Sequence, residues 1–490
     1  MGKEIKEHWD SRTAFILASV GSAVGLGNIW RFPYIVYKYG GGAFIIPFLV
    51  ALLTAGIPLL ILEFTMGHKT NRAAPGSFAF FNKNLSWIGW AAVFVSLGVT
   101  IYYAAIMAWS GIYFFKSFSL GWGQNTESFF YNSVLQISSG PTDIGNFLPI
   151  IFVGIILTWI WIYFSIIKGA KSVGKMVYIT VILPWIILIV LIVRGVTLPG
   201  AMTGLAYLFT PNFTALTDPE VWINAYSQVF FSISIGFGVM IAYGSFLPKK
   251  ADIVNSAFII GLADAATSLL ASIAIFSALG YLALQRGVEV CHVVTSGPGL
   301  AFITYPEIIN LFPVGAAVLG ALFFAMLLTF GIDSAFSLVE AFSAAAVEKW
   351  NISRVKMNAI LGIIGIVLGT IFATQSALYW LDIVDHYLSV YGLVIVGILE
   401  CIVVGYVIKP DNLRHYANEQ SDFPIGRWWN IIIKYFLPIV LTAIVIWNIW
   451  SEIQHPYEGY ARGPLLVGIG VLILAFVLGI LISLKKERSA

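Results

Sequence analysis

Apolar residues run along this chain in blocks long enough to cross a bilayer, with polar residues gathered between them. Runs such as 147–167, 256–284, 314–339, 359–377 and 465–484 approach or exceed the roughly 20 residues that a membrane helix needs. The blocks predict about twelve spans, at 12–38, 42–66, 87–116, 147–167, 173–194, 221–246, 254–284, 314–347, 355–375, 379–407, 430–452 and 464–484. A membrane barrel would show short alternating segments instead. The expected fold is therefore an all-α membrane protein, one domain covering residues 1–490.

The first block interrupts itself. Gly21-Ser22-Ala23-Val24-Gly25-Leu26-Gly27-Asn28 lies between two apolar runs, and Trp30-Arg31-Phe32-Pro33 follows. In hydrocarbon every backbone N–H and C=O needs a partner within the protein, so a broken helix survives only where it is buried or lines a cavity. Glycine loosens a helix and proline removes a donor. The sixth block repeats the pattern in Phe230-Phe231-Ser232-Ile233-Ser234-Ile235-Gly236-Phe237-Gly238. One such break is equally well read as close helix packing. Two in corresponding positions predict a transporter of inverted repeats, with five helices in 12–194, five in 221–407 and two additional helices in 430–484.

Composition adds little against this picture. The chain is 59% hydrophobic and 10% charged, with a mean hydropathy of +0.89, whereas soluble domains are about 25% charged. A net charge of +3 gives no reason to expect nucleic acid. The charged start (Lys3, Glu4, Lys6, Glu7, Asp10, Arg12) leads into a span with no cleavage site, so no signal peptide is expected. Two cysteines, Cys291 and Cys401, make no disulfide framework, and no Cys/His spacing matches a zinc site. Lysine and arginine concentrate in alternate loops, from Lys69, Arg72 and Lys83 through Lys249 and Lys250 to Lys485 and Lys486, while the other loops hold Lys116, Arg194, Arg286 and Arg462. The positive-inside rule then places both termini in the cytoplasm. The segment 291–313, with its Gly297-Pro298-Gly299 turn, is expected to form a small helix over the outer vestibule.

Gly25-Leu26-Gly27-Asn28-Ile29-Trp30-Arg31-Phe32-Pro33-Tyr34, then Gly40-Gly41-Gly42-Ala43-Phe44, Tyr102-Tyr103, Ser232–Gly238, Gly331-Ile332-Asp333-Ser334-Ala335 and Asp385-His386-Tyr387 occur in that order along essentially the whole chain. In these motifs the sequence resembles the neurotransmitter:sodium symporters, and among them the bacterial leucine-transporter-like amino-acid symporters. The resemblance implies two sodium sites. The first takes Ala23, Asn28, Ser232 and Asp264; the second takes Gly21, Val24, Phe330, Asp333 and Ser334. Sodium, a hard cation, suits such oxygen ligands. The resemblance also implies substrate contacts at Ser22, Ala23, Gly25, Leu26, Gly27, Val99, Tyr103, Phe231, Ser232, Ser234, Phe237, Ser334, Ser337 and Leu338. The substrate carboxylate would meet the N–H groups of Leu26 and Gly27 and the phenol of Tyr103, at the positive end of a half-helix. Monoamine carriers have an aspartate at the position of Gly25, so the glycine favours an amino acid. The lining favours a neutral, hydrophobic one.

Arg31 and Asp385 are the implied outer gate; Lys6, Glu348 and Trp9 the inner one. Asp264 stands where many relatives carry asparagine, and Phe48 replaces a tyrosine of the chloride set completed by Gln228, Ser232 and Ser268. Asp264 is expected to supply the negative charge, so chloride is not required. These readings make the chain a sodium-coupled symporter in the inner (plasma) membrane of a bacterial or archaeal cell, not an enzyme. Its partners are the amino acid, sodium and lipid. A non-transporting sensor of the same fold remains the alternative, with an intramembrane enzyme and a channel less supported because histidines are scattered and gates are paired.

Overall fold

The computed structural model describes residues 8–295, 297–312 and 314–485. Lys6 of the expected inner gate lies outside them. Among the described residues there is no strand, and two isolated bridges, Gly41 with Pro211 and Phe147 with Thr374, are the extent of β pairing.

Among the described residues ten helices are long and apolar enough to cross a membrane: Gly42–Thr70, Lys83–Ser117, Pro149–Ile166, Ala170–Val196, Ile253–Arg286, Ala316–Trp350, Arg354–Ala373, Ala377–Ile408, Arg427–Gly459 and Arg462–Leu484. An eleventh crossing joins Arg12–Ala23 to Leu26–Lys38 through a 61° bend. The expected span at 221–246 is divided into Pro219–Ser232 and Val239–Ser245. Neither half is a full crossing by itself, because six residues between them leave the helical path. Counting that divided helix recovers the twelve spans of the hydrophobic pattern.

Polar connections that the pattern treated as loops also contain helices. Ala201–Phe209 lies between the fifth and sixth spans, and Pro410–Gln420 follows the tenth. After the seventh span, a π-helical turn at Leu300–Thr304 runs into Tyr305–Asn310. Phe302 on that turn is fully buried and packs on Trp30, Trp109, Tyr113, Phe130 and Phe324, with ring centroids 5.2–6.2 Å apart. The small helix expected in this segment is therefore present, and its turn plugs the face opposite the N-terminus.

The third span is the central post. Its Ser96 hydroxyl donates to the Leu338 carbonyl on the eighth span at 2.8 Å. The last two spans are peripheral and carry exposed apolar side chains such as Ile439, Ile453, Leu466 and Leu481, as a lipid-facing surface requires.

The N-terminal face is closed by aromatic and ionic contacts. Trp9 is buried, donates its indole N–H to the Tyr243 carbonyl at 3.0 Å, and donates its backbone N–H to the Phe246 carbonyl at 3.0 Å. Phe246 in turn lies 5.8 Å from the Arg354 guanidinium, which pairs at 2.5 Å with the fully buried Glu340. Removing one partner of a buried ion pair costs about 3–5 kcal/mol, whereas replacing both with apolar groups is nearly neutral. Arg354→Ala is expected to cost about that much in chemical or thermal denaturation in detergent. The double replacement Arg354→Met with Glu340→Leu should recover most of the loss.

Candidate functional site

The two breaks are built differently. In the first, helical bonding ends when the Val24 N–H reaches the Val20 carbonyl at 2.6 Å. Val24 and Gly25 are extended. The Gly25 N–H then turns to Asn28 Oδ1 at 2.9 Å, and the Leu26 N–H to the Tyr103 hydroxyl at 3.3 Å. These bonds replace those the carbonyls of Gly21 and Ser22 would have received in a continuous helix. Gly25 is required by close approach: a Cβ there would lie 2.7 Å from Ser334 Oγ and 3.4 Å from the Tyr103 hydroxyl.

In the second break Ser234, Gly236 and Gly238 all have positive φ, at 57°, 78° and 74°. The Gly236 N–H donates to Glu63 Oε1 at 2.8 Å. The Ser234 hydroxyl crosses to the first break and donates to the Ser22 carbonyl at 2.9 Å. Ser22, Ser234 and Ser337 then form one hydroxyl cluster, with Ser22 to Ser337 at 2.8 Å and Ser22 to Ser234 at 3.2 Å. The two interruptions thus face and bond each other.

Around Asn28 the structure gathers a buried knot of oxygens. Asn28 Nδ2 donates to Asp264 Oδ1 at 2.7 Å, and lies 2.8 Å from Ser268 Oγ and 3.0 Å from Ser232 Oγ. Ser232 Oγ donates to the Asp264 carboxylate at 2.8 and 2.9 Å. All four side chains are buried. Gln228, one helical turn before Ser232, is also buried, and neither end of its amide has a partner among the described residues. Phe48 is fully buried against Phe32 and brings no polar group.

Asp333 makes a second oxygen-lined place. It is fully buried, and neither carboxylate oxygen has a hydrogen-bond donor among the described residues. The neighbouring Thr180 hydroxyl donates to the Met176 carbonyl at 3.1 Å. A Cβ at Gly21 would lie 2.9 Å from Asp333 Oδ2, so the carboxylate rests against the first break. Ser334 Oγ is 3.4 Å from the carbonyls of Ser22 and Phe330. A buried carboxylate with no donor is costly unless a cation meets it or it takes up a proton, and the oxygens of Asp333, Ser334 and the nearby carbonyls suit a hard cation.

Val99, Tyr103, Phe237 and Leu338 are buried, whereas Phe231 is partly exposed. A Cβ at Gly27 would touch the Phe231 ring at 2.8 Å. The Arg31 guanidinium lies 5.0 Å from the centroid of that ring, a cation–π contact. Asp385 is held elsewhere, by the Tyr102 hydroxyl and by Ser389 Oγ at 2.7 Å. Among the described residues no ion pair joins Arg31 to Asp385. Glu348 accepts the Ala73 N–H at 2.9 Å and has Arg72 Nε at 3.9 Å.

Three features escaped the sequence analysis: Glu63 as acceptor for the second break, fully buried Glu400 beside it, and the Arg354–Glu340 pair. An acid inside an apolar run is a functional signal by default, and that signal was available at 63, 340 and 400.

Interrupted helices facing one another across buried oxygens define a multi-pass membrane transporter of the broken-helix class. Residues 6–127 and 122–486 match the model of the sodium:neurotransmitter symporter family, and the chain belongs to that family. It is 40% identical over 482 residues to an uncharacterized sodium-dependent transporter of Methanocaldococcus jannaschii, covering 98% of each chain. It is 34% identical to the sodium- and chloride-dependent GABA transporter 2 of Mus musculus, covering 94% of this chain and 84% of that one. The human sodium- and chloride-dependent taurine transporter is 32% identical, with 95% and 82% covered. The family is one of sodium-coupled transporters, not enzymes.

Leaving a buried N–H without an acceptor costs about 1–3 kcal/mol. Glu63→Leu is therefore expected to destabilise the protein by about that amount relative to Glu63→Gln, whose amide oxygen can still accept from Gly236. Paired melting curves in detergent measure the difference.

Proposed function

We propose that this protein carries a neutral, hydrophobic α-amino acid together with sodium by alternating access. The observation that carries the substrate class is Gly25, packed against Ser334 and Tyr103 with no room for an acidic side chain that would hold a lone amine. The substrate carboxylate meets Leu26, Gly27 and Tyr103, and the amine meets the carbonyls of Ala23, Phe231 and Ser234. Val99, Phe231, Phe237 and Leu338 take the side chain, with Ser22, Ser334 and Ser337 at its edge. GABA and taurine, named in two relatives, likewise carry an amine and an acid group on one molecule.

One sodium ion binds at Ala23, Asn28, Ser232 and Asp264, with the substrate carboxylate completing its shell. The second binds at Gly21, Val24, Phe330, Asp333 and Ser334. Asp333, buried without a donor, supports the second site; the Asp264 knot supports the first. A ligand shared between ion and substrate couples their affinities reciprocally. Asp264 also fills the place of a chloride charge, so transport runs without chloride. The unpartnered Gln228 amide is the feature that favours an anion instead.

Spans one, two, six and seven move as a bundle against the other spans around the site, with Arg31 and Asp385 closing one side and Trp9, Lys6 and Glu348 the other. The lysine and arginine bias supports cytoplasmic termini and a plasma-membrane location, and the archaeal relative supports a bacterial or archaeal cell.

A melting screen of the twenty amino acids in sodium and in potassium tests the substrate class and the coupling. A bound ligand at 100 times its Kd stabilises the native state by about 2.7 kcal/mol, and this shift is expected for hydrophobic amino acids in sodium alone. Asp333→Asn should raise the sodium concentration needed by at least about tenfold, the equivalent of about 1.4 kcal/mol. Equal binding in potassium would sink the coupling. Counterflow in proteoliposomes separates a carrier from a sensor, because a sensor binds without exchange. Uptake with gluconate replacing chloride is expected to stay within about twofold of the control, roughly 0.4 kcal/mol; its collapse assigns the Gln228 amide to an anion.

A further inference from the structure

The connection after the seventh span presents three metal-ligating side chains together on the face opposite Trp9. The span Ile253–Arg286 is followed by the tight turn Val290–His292. Val290 and Val293 point inward and are each 4% exposed, while Glu289 and His292 are exposed and Cys291 is partly so. Two backbone bonds fix the turn, from the His292 N–H to the Glu289 carbonyl at 3.0 Å and from the Val293 N–H to the Val290 carbonyl at 3.2 Å. The Cys291 carbonyl also accepts the Tyr37 hydroxyl of the first span at 3.1 Å. The buried valines and these bonds hold the three donors on one side of a rigid turn.

Cys291 Sγ is 3.6 Å from Glu289 Oε2 and 3.7 Å from His292 Nδ1, and the three ligand atoms all lie within 4.8 Å of one another. At a tetrahedral zinc centre, bonds of about 2.3 Å to sulfur and about 2.0–2.1 Å to nitrogen or oxygen set donor atoms about 3.4–3.6 Å apart. The two sulfur edges are therefore already near the spacing of a zinc complex. The third edge closes by rotation of two exposed side chains. Scanning for Cys/His spacing missed this site because its third ligand is a carboxylate and all three donors sit within four residues.

We propose that Glu289, Cys291 and His292 bind a soft divalent cation, zinc by the chemistry of a thiolate, an imidazole and a carboxylate. Water fills the fourth position, and the thiol proton leaves to solvent as the metal binds. This site is separate from the sodium and substrate positions and does not depend on them.

Cys401, the other cysteine, is fully buried, so a maleimide reads Cys291 in the reduced, folded protein. Zinc chloride is expected to slow labelling at least about tenfold, the equivalent of about 1.4 kcal/mol, at concentrations where magnesium and calcium chloride have no effect. His292→Ala and Glu289→Ala should each raise the zinc concentration for half-protection by about tenfold or more, the equivalent of about 1.4 kcal/mol, with unchanged melting temperature. Calorimetry of Cys291→Ser should lose the zinc heat seen in the parent protein. Labelling that zinc leaves unchanged overturns the site. Full protection in both alanine variants also overturns it, because a lone thiolate would then be the binder.

Discussion

The structure depends on one constraint: a helix opened inside hydrocarbon must recover every backbone partner it gives up. In the first helix the recovery is local and lateral, with Asn28 taking the Gly25 N–H and Tyr103 taking that of Leu26. In the sixth it comes from Glu63 on a neighbouring span. The partners belong to the second and third spans as well as to the broken helices. The breaks are thus held open by surrounding structure, and the Ser22 carbonyl freed at the first accepts the Ser234 hydroxyl of the second.

That arrangement links the site to both faces. The Ser22–Ser234–Ser337 cluster ties the first, sixth and eighth spans at mid-depth. Trp9 fastens the segment before the first helix to the second half of the sixth, at Tyr243 and Phe246. On the opposite side Arg31 rests on Phe231 and Phe302 packs on Trp30. Each of these contacts is made on a half of a broken helix, so movement of that half disturbs it.

The membrane class, the positions of the spans and both breaks were legible because long apolar runs and glycine–serine clusters are local signals. The divided sixth helix falls within that legibility: the break read at Phe230–Gly238 is where positive φ at three residues parts Pro219–Ser232 from Val239–Ser245. The gathering of Asn28, Ser232 and Asp264 was reachable through resemblance to a family, since the three are more than 200 residues apart at the extreme and no spacing rule unites them. Glu63 and Arg354–Glu340 escaped because an acid on an apolar helix declares a need for a partner without naming it.

The sequence alone determined where the long apolar stretches lie and where the chain cannot remain helical. These follow from the transfer cost of backbone and charge, which depends on each residue and its near neighbours. The tertiary structure decided which donor caps each opened turn, that Asp333 lies against Gly21 without a hydrogen-bond donor, that Arg31 sits on an aromatic ring apart from Asp385, and that Glu289, Cys291 and His292 share one side of a turn. Those outcomes depend on distances between side chains set by packing, and packing is a property of the assembled helices.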